Sequence, residues 1–189
     1  MAVVNEVKCS ERRATLIELK NICSSSFGKS YKRECQVCRV LESLITRNKK
    51  NLSSEIYMCI ADYNEAGHCK LSKLIEYVCS HDFSQESCPD LLLIKGGRCC
   101  IVELKINVRE FKRFEDYVEI AKSQLDSSCA NQLAEKYCCN MTRQVICFNN
   151  KVVKRIKGIQ RRPKDESVRH LKIVGDDKLL DECFPLVIR

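Results

Sequence analysis

Glycine and proline are scarce in this sequence, 6 and 3 among 189 residues, and tryptophan is absent. So few turn-forming residues exclude a loop-rich scaffold held together by cross-links. No apolar run approaches the roughly 20 residues that a bilayer-crossing helix needs, so no membrane segment is expected. The 3 histidines, His68, His81 and His170, are isolated. None has a nucleophile at a spacing that suggests a catalytic triad. The opening Met1-Ala2-Val3-Val4-Asn5-Glu6 lacks a basic stretch leading into an apolar one, so no signal peptide is visible and an intracellular, cytoplasmic protein is the expectation.

What is present is 44% hydrophobic and 31% charged residues, a net charge of +8 and 15 cysteines. The apolar fraction is too high for a disordered chain and sufficient for a core without staples. The charge favours a polyanionic partner. The cysteines can be small hydrophobes, metal ligands, or disulfides of the kind that hyperthermophiles form inside the cell.

Along the chain, the first eighty residues read as mostly helical. Tyr31 to Arg47 carries Cys35, Cys38, Leu41, Leu44 and Ile45 on one stripe at helical spacing. Helical patterns resume over Glu55 to Glu65 and again from Leu71 to Cys79. The texture then changes to two apolar strands, Asp90 to Lys95 and Arg98 to Ile106, around Gly96-Gly97. A Gly-Gly pair supplies the positive φ that a tight hairpin turn requires. Both strands are apolar on both faces, as in the centre of a helix-flanked sheet. A long amphipathic helix is predicted from Arg109 to Tyr137, with the stripe Phe111, Phe114, Tyr117, Val118, Ala121, Gln124, Leu125, Ser128 and Leu133. A third strand, Gln144 to Phe148, leads through Asn149-Asn150 to a fourth, Val152 to Ile156. The fold class is α/β: a mixed central sheet with an antiparallel hairpin, flanked by helices. Residues 1–54 read as an N-terminal helical extension and 55–189 as the main domain.

The hairpin places chemistry. A two-residue loop pairs Lys95 with Arg98, and counting outwards sets Asp90 opposite Glu103. Directly opposed residues share a face, with Cβ atoms about 5 Å apart. Lys105, two residues past Glu103, lies on that face too. A carboxylate pair amid Leu92, Ile94, Cys99 and Ile101 is costly to bury for packing alone. Together with a lysine it suits a hard divalent cation and an activated water.

Pro89-Asp90, twelve residues, then Glu103-Leu104-Lys105 resembles the PD-(D/E)xK nuclease superfamily, the restriction-endonuclease-like fold. Its spacing and following helix are most similar to those of archaeal Holliday junction resolvases. The resemblance covers residues 65 to 150 and implies a DNA endonuclease that hydrolyses phosphodiester bonds, with branched DNA as a candidate substrate. It gives Asp90 and Glu103 to Mg²⁺ or Mn²⁺ and Lys105 to the attacking water. It also implies a homodimer and no organic cofactor. The family supplies a further acid from the preceding helix, and Glu65, 25 residues before Asp90, is the expected third metal ligand, with Glu55 and Glu76 as competitors. Gln124, on the apolar stripe of the next helix, is expected to reach the site. Such a nuclease rich in cysteine suits a hyperthermophilic archaeon or one of its viruses.

Basic residues concentrate downstream. Between Lys151 and Lys172 there are nine, against Asp165 and Glu166, which is nearly the whole net charge of +8. Lys151, Lys154, Arg155, Lys157, Arg161 and Arg162 are expected to hold phosphates, joined by Arg109, Lys112 and Arg113 after the motif. With little aromatic residue among them, base stacking is not the expected mode. Cys35-x-x-Cys38 lacks a second half for zinc, so core packing or a disulfide is expected there. Cys138, Cys139 and Cys147 do not have the spacing of an iron–sulfur set. Phe27-Gly28-Lys29-Ser30 has Cys23 where a phosphate loop needs its first glycine. The rival readings are an inactive nucleic-acid-binding protein of the same fold and an iron–sulfur or zinc protein.

Overall fold

A computed structural model describes residues 14–19, 21, 36–47, 56–60, 88–108, 113–138, 142–157 and 171–185. Among these residues six strands form one mixed sheet in chain order: β1 (Ala14–Thr15), β2 (Ile56–Ile60), β3 (Leu91–Lys95), β4 (Arg98–Lys105), β5 (Thr142–Phe148) and β6 (Leu171–Gly175). β1 to β4 are antiparallel neighbours, whereas β4, β5 and β6 run parallel. Parallel neighbours need a crossover. Here α2 (Phe114–Leu125) and α3 (Ser128–Tyr137) join β4 to β5, and α4 (Asn150–Lys157) joins β5 to β6. Helices α1 (Gln36–Arg47) and α5 (Leu179–Cys183) are also among the described elements, and residues 16–19 and 21 are helical.

The expected hairpin is present. Gly96 and Gly97 have φ of 54° and 74°, Lys95 pairs with Arg98, and the register holds out to Leu91 opposite Val102. Alternation along the strands then builds two cores. Leu91, Leu93, Cys100, Val102 and Leu104 pack with α1 and α5 on one face. Leu92, Ile94, Cys99 and Ile101 pack with α2, α3 and α4 on the other. The sheet is thus covered on both sides, which explains its near-continuous apolar strands. Leu16, Leu19 and α1 belong to the same core as β2 to β5, so these N-terminal residues pack as part of the main sheet.

Several elements differ from their sequence reading. Residues 56–60, expected to be helical, form β2 and pair along their whole length with β3. A helix there would leave the backbone of buried β3 unpaired on one side. The single helix expected from Arg109 to Tyr137 is two. Ser127 has extended backbone and its side chain accepts from the Ala130 N–H at 3.2 Å, starting α3 afresh. The break turns Ser128 outward and brings Cys129 and Ala130 into the core. The fourth strand, Val152 to Ile156, is instead helix α4. Asn149 caps it: its carbonyl accepts from Val152 and Val153, and its Oδ1 from the Lys151 N–H at 2.9 Å. The mixed tail supplies β6 and α5, which the sequence reading did not mark. The helix expected over Leu71 to Cys79 lies outside the described residues.

Among the described residues the disulfides Cys88–Cys129, Cys99–Cys138 and Cys100–Cys183 tie β4 and its neighbours to the helices. Cys38 is also disulfide-bonded. Cys147 is a free, buried thiol. Among the described residues, no helix is long and apolar enough to cross a membrane.

Candidate active site

Asp90 immediately precedes β3 and Glu103 lies in β4, one step beyond the last paired residues, Leu91 and Val102. Both are buried, at 5% and 1% exposure, and they are the only charged side chains in the core among the described residues. Alternation along β4 puts Glu103 on the same face as Ile101, the face covered by α2, α3 and α4.

Each carboxylate is held by a different device. Past the end of β3, the Leu104 N–H of β4 donates to Asp90 Oδ2 at 2.6 Å. The aspartate therefore takes the place of a strand partner. Lys105 Nζ donates to Glu103 Oε1 at 2.5 Å and to Gln124 Oε1 at 3.1 Å. Its side chain is 16% exposed, against 1% for Glu103, so the ammonium stands at the mouth and the carboxylate behind it. Gln124 reaches it from the last turn of α2, beside buried Ala121 and Leu125. Three residues named from sequence, Glu103, Lys105 and Gln124, thus come into contact, and Asp90 is tied to the backbone of Leu104 between two of them.

Other expected site residues are placed differently. Glu65, Arg109, Lys112, Arg161 and Arg162 lie outside the described residues, and Lys157 ends α4. Arg113 is exposed, ion-paired with Asp116 at 3.3 Å and 5.9 Å from the centre of the Tyr117 ring. Lys151, Lys154 and Arg155 are exposed on α4, opposite buried Val152 and Val153. That face arises because Val152, Val153 and the basic residues alternate at helical rather than strand spacing.

The sequence reading missed three residues at this end of the sheet. Gln36 Oε1 accepts from the Ile106 N–H at 3.2 Å, docking the start of α1 on the turn after Lys105. One helical turn on, Arg39 Nη1 donates to Asn107 Oδ1 at 3.5 Å. Asn149 follows β5. No local signal marks Arg39, which in sequence is one cation on the polar face of a helix. Past these residues a cavity of about 320 Å³ opens at the carboxyl ends of β4 and β5.

Behind the site, Cys147 faces the opposite core. Burial first, then the charges of Asp176 and Asp90, push its thiol pKa far up, so it remains a neutral packing group.

Among the described residues no cluster of three or more His, Cys, Asp or Glu side chains could hold a metal. The zinc and iron–sulfur readings therefore find no support there, and Asp90 and Glu103 stand as a pair. Magnesium is ordinarily held by one or two carboxylates, with water and substrate phosphate completing its shell. The pair fits that use. Compared with protein-family models, curated proteins and solved structures, the chain matches none.

Proposed function

We propose that this protein is a divalent-metal-dependent DNA endonuclease that hydrolyses phosphodiester bonds. The observation that carries the reading is that two carboxylates are buried, Glu103 against Lys105, which Gln124 also holds, and Asp90 on the neighbouring Leu104 N–H. Burying two carboxylates costs several kcal/mol, which packing does not require. A resemblance to PD-(D/E)xK nucleases in the Pro89-Asp90 and Glu103-Leu104-Lys105 segments supports the same assignment.

Asp90 and Glu103 would hold Mg²⁺ or Mn²⁺, which supplies Lewis acidity at the phosphate and lowers the pKa of a bound water. The remaining roles belong to the chain itself. Lys105 orients the attacking water and offsets negative charge as it develops. Gln124 fixes the ammonium through its amide oxygen, and Leu104 fixes Asp90 through its N–H. The exposed cations of α4 position the DNA backbone without reading its sequence. Branched DNA as the preferred substrate and a two-fold dimer as the active form follow from the resolvase resemblance alone.

The test is cleavage of plasmid, flap and four-way junction DNA with Mg²⁺ or EDTA. Asp90→Asn and Glu103→Gln are expected to lower metal-dependent cutting by about a hundredfold or more while leaving the fold intact by circular dichroism. DNA binding without cutting, unchanged in both variants, would mark the protein as an inactive binder of the same fold.

A further inference from the structure

The cavity at the carboxyl ends of β4 and β5 divides its wall by chemistry. Arg39, Lys151 and Arg155 supply three cations and Asn149 a neutral polar group, while half-buried Val108, with the edges of buried Ile106 and Val152, supplies the apolar surface. The cations come from opposite sides of the sheet. Arg39 belongs to α1, seated by Gln36 on the Ile106 N–H, whereas Lys151 and Arg155 belong to α4, started by the Asn149 cap. A crevice beyond the carboxyl ends of strands, between two helical layers, is where open α/β sheets bind ligands. No carboxylate is among the described lining residues. Three like charges facing one space repel one another, and an anion seated among them relieves that repulsion. The volume of about 320 Å³ falls at the lower end of the range in which small organic ligands bind, roughly 300–1,000 Å³. A bare inorganic anion needs no apolar wall. A phosphate carrying a sugar and a base uses both halves.

We infer that this cavity is a nucleotide subsite. One phosphate of a strand sits among Arg39, Lys151 and Arg155, with its sugar and base against Ile106, Val108 and Val152. This rests on the nuclease reading for the strand to which the nucleotide belongs, but none of the six residues is a metal ligand. Ile106 follows Lys105 directly, so the seated nucleotide neighbours the bond to be cut and sets where on the strand the cut falls.

The experiment is calorimetric titration of the full chain, without metal, with thymidine 5′-monophosphate, thymidine and inorganic phosphate. The monophosphate is expected to bind at least tenfold more tightly than either of the other two. Arg155→Gln weakens it about tenfold and Arg39→Gln with Arg155→Gln about a hundredfold, as loss of charge-assisted hydrogen bonds requires. Lys95→Gln removes the same charge at the far end of the sheet and leaves binding unchanged; circular dichroism confirms folding of each variant. No detectable binding, equal binding of nucleoside or phosphate, or unchanged binding in both arginine variants overturns the inference. The two readings fail separately. DNA cutting without nucleotide binding removes the subsite alone, whereas nucleotide binding retained in a protein that cuts nothing removes the nuclease alone.

Discussion

At the residue scale, Asp90 is both a candidate ligand and a structural acceptor, because Oδ2 takes the Leu104 N–H at 2.6 Å. Replacing it with alanine would orphan a buried donor, at about 1–3 kcal/mol, and confuse lost chemistry with lost fold. Asparagine keeps an acceptor and removes the charge, which makes it the informative substitution. Cys147 offers a cleaner stability measurement. Its folded pKa is raised by burial, so below the unfolded thiol pKa of about 8.5 both states are protonated and its contribution is fully present. Above that value the unfolded chain releases a proton that the folded one keeps, and stability falls as pH rises. Urea unfolding is expected to give about 1.4 kcal/mol less stability at about pH 9.5 than at neutral pH from this group. The same comparison in Cys147→Ala loses that component. An identical pH dependence in the two proteins would refute it.

At the scale of elements, the break between α2 and α3 depends on one hydroxyl. Ser127→Ala is expected to lower stability by about 1 kcal/mol in urea unfolding, and Ser127→Gly by only a few tenths, because a cap lost to glycine is partly restored by solvent and backbone freedom. Equal costs for the two would mean that Ser127 does not cap. The same cap chemistry explains what the sequence did and did not disclose. The β3–β4 hairpin was legible because Gly96-Gly97 specifies a turn locally, and the turn then determines the register out to Leu91 and Val102, one step short of Asp90 and Glu103. Asn149-Asn150 is locally ambiguous: it serves a turn or a helix cap, and Val152 and Val153 suit a strand as well as a helix. The choice fell to the sheet, since β5 and β6 run parallel and need a crossover between them. Ile56 to Ile60 became a strand for a similar reason, as the partner that β3 needed. Arg39 was illegible because its place beside α4 exists only once both layers are assembled.

At the scale of the molecule, the two helical layers are fastened to the sheet by chemistry as well as packing. The neighbours Cys99 and Cys100 point to opposite faces of β4 and bond to Cys138, just past α3, and Cys183 in α5. Cys88, two residues before Asp90, bonds to Cys129 in α3. The sequence separation of 41 in that last pair corresponds to about 4 kcal/mol of lost unfolded-chain entropy. Replacing both cysteines with serine is therefore expected to lower unfolding free energy by about 2–4 kcal/mol, measured in urea without reductant. A change below about 0.5 kcal/mol, within the scatter of ordinary surface substitutions, would show that the bond adds no constraint. The +8 of the whole chain also acquires an address. Part of it, Lys151, Lys154 and Arg155, lies exposed on one helix.

The paired bonds of Cys99 and Cys100 carry a consequence for the molecule as a connected graph. The three disulfides with both cysteines among the described residues join residues before Val108 to residues after Arg113. A backbone cut between those two positions, in the segment that links Lys105 to α2, therefore yields no separate fragments. Glu103 and Lys105 stay tethered to Gln124 through sulfur when the peptide chain between them is gone, and only reductant divides the two halves.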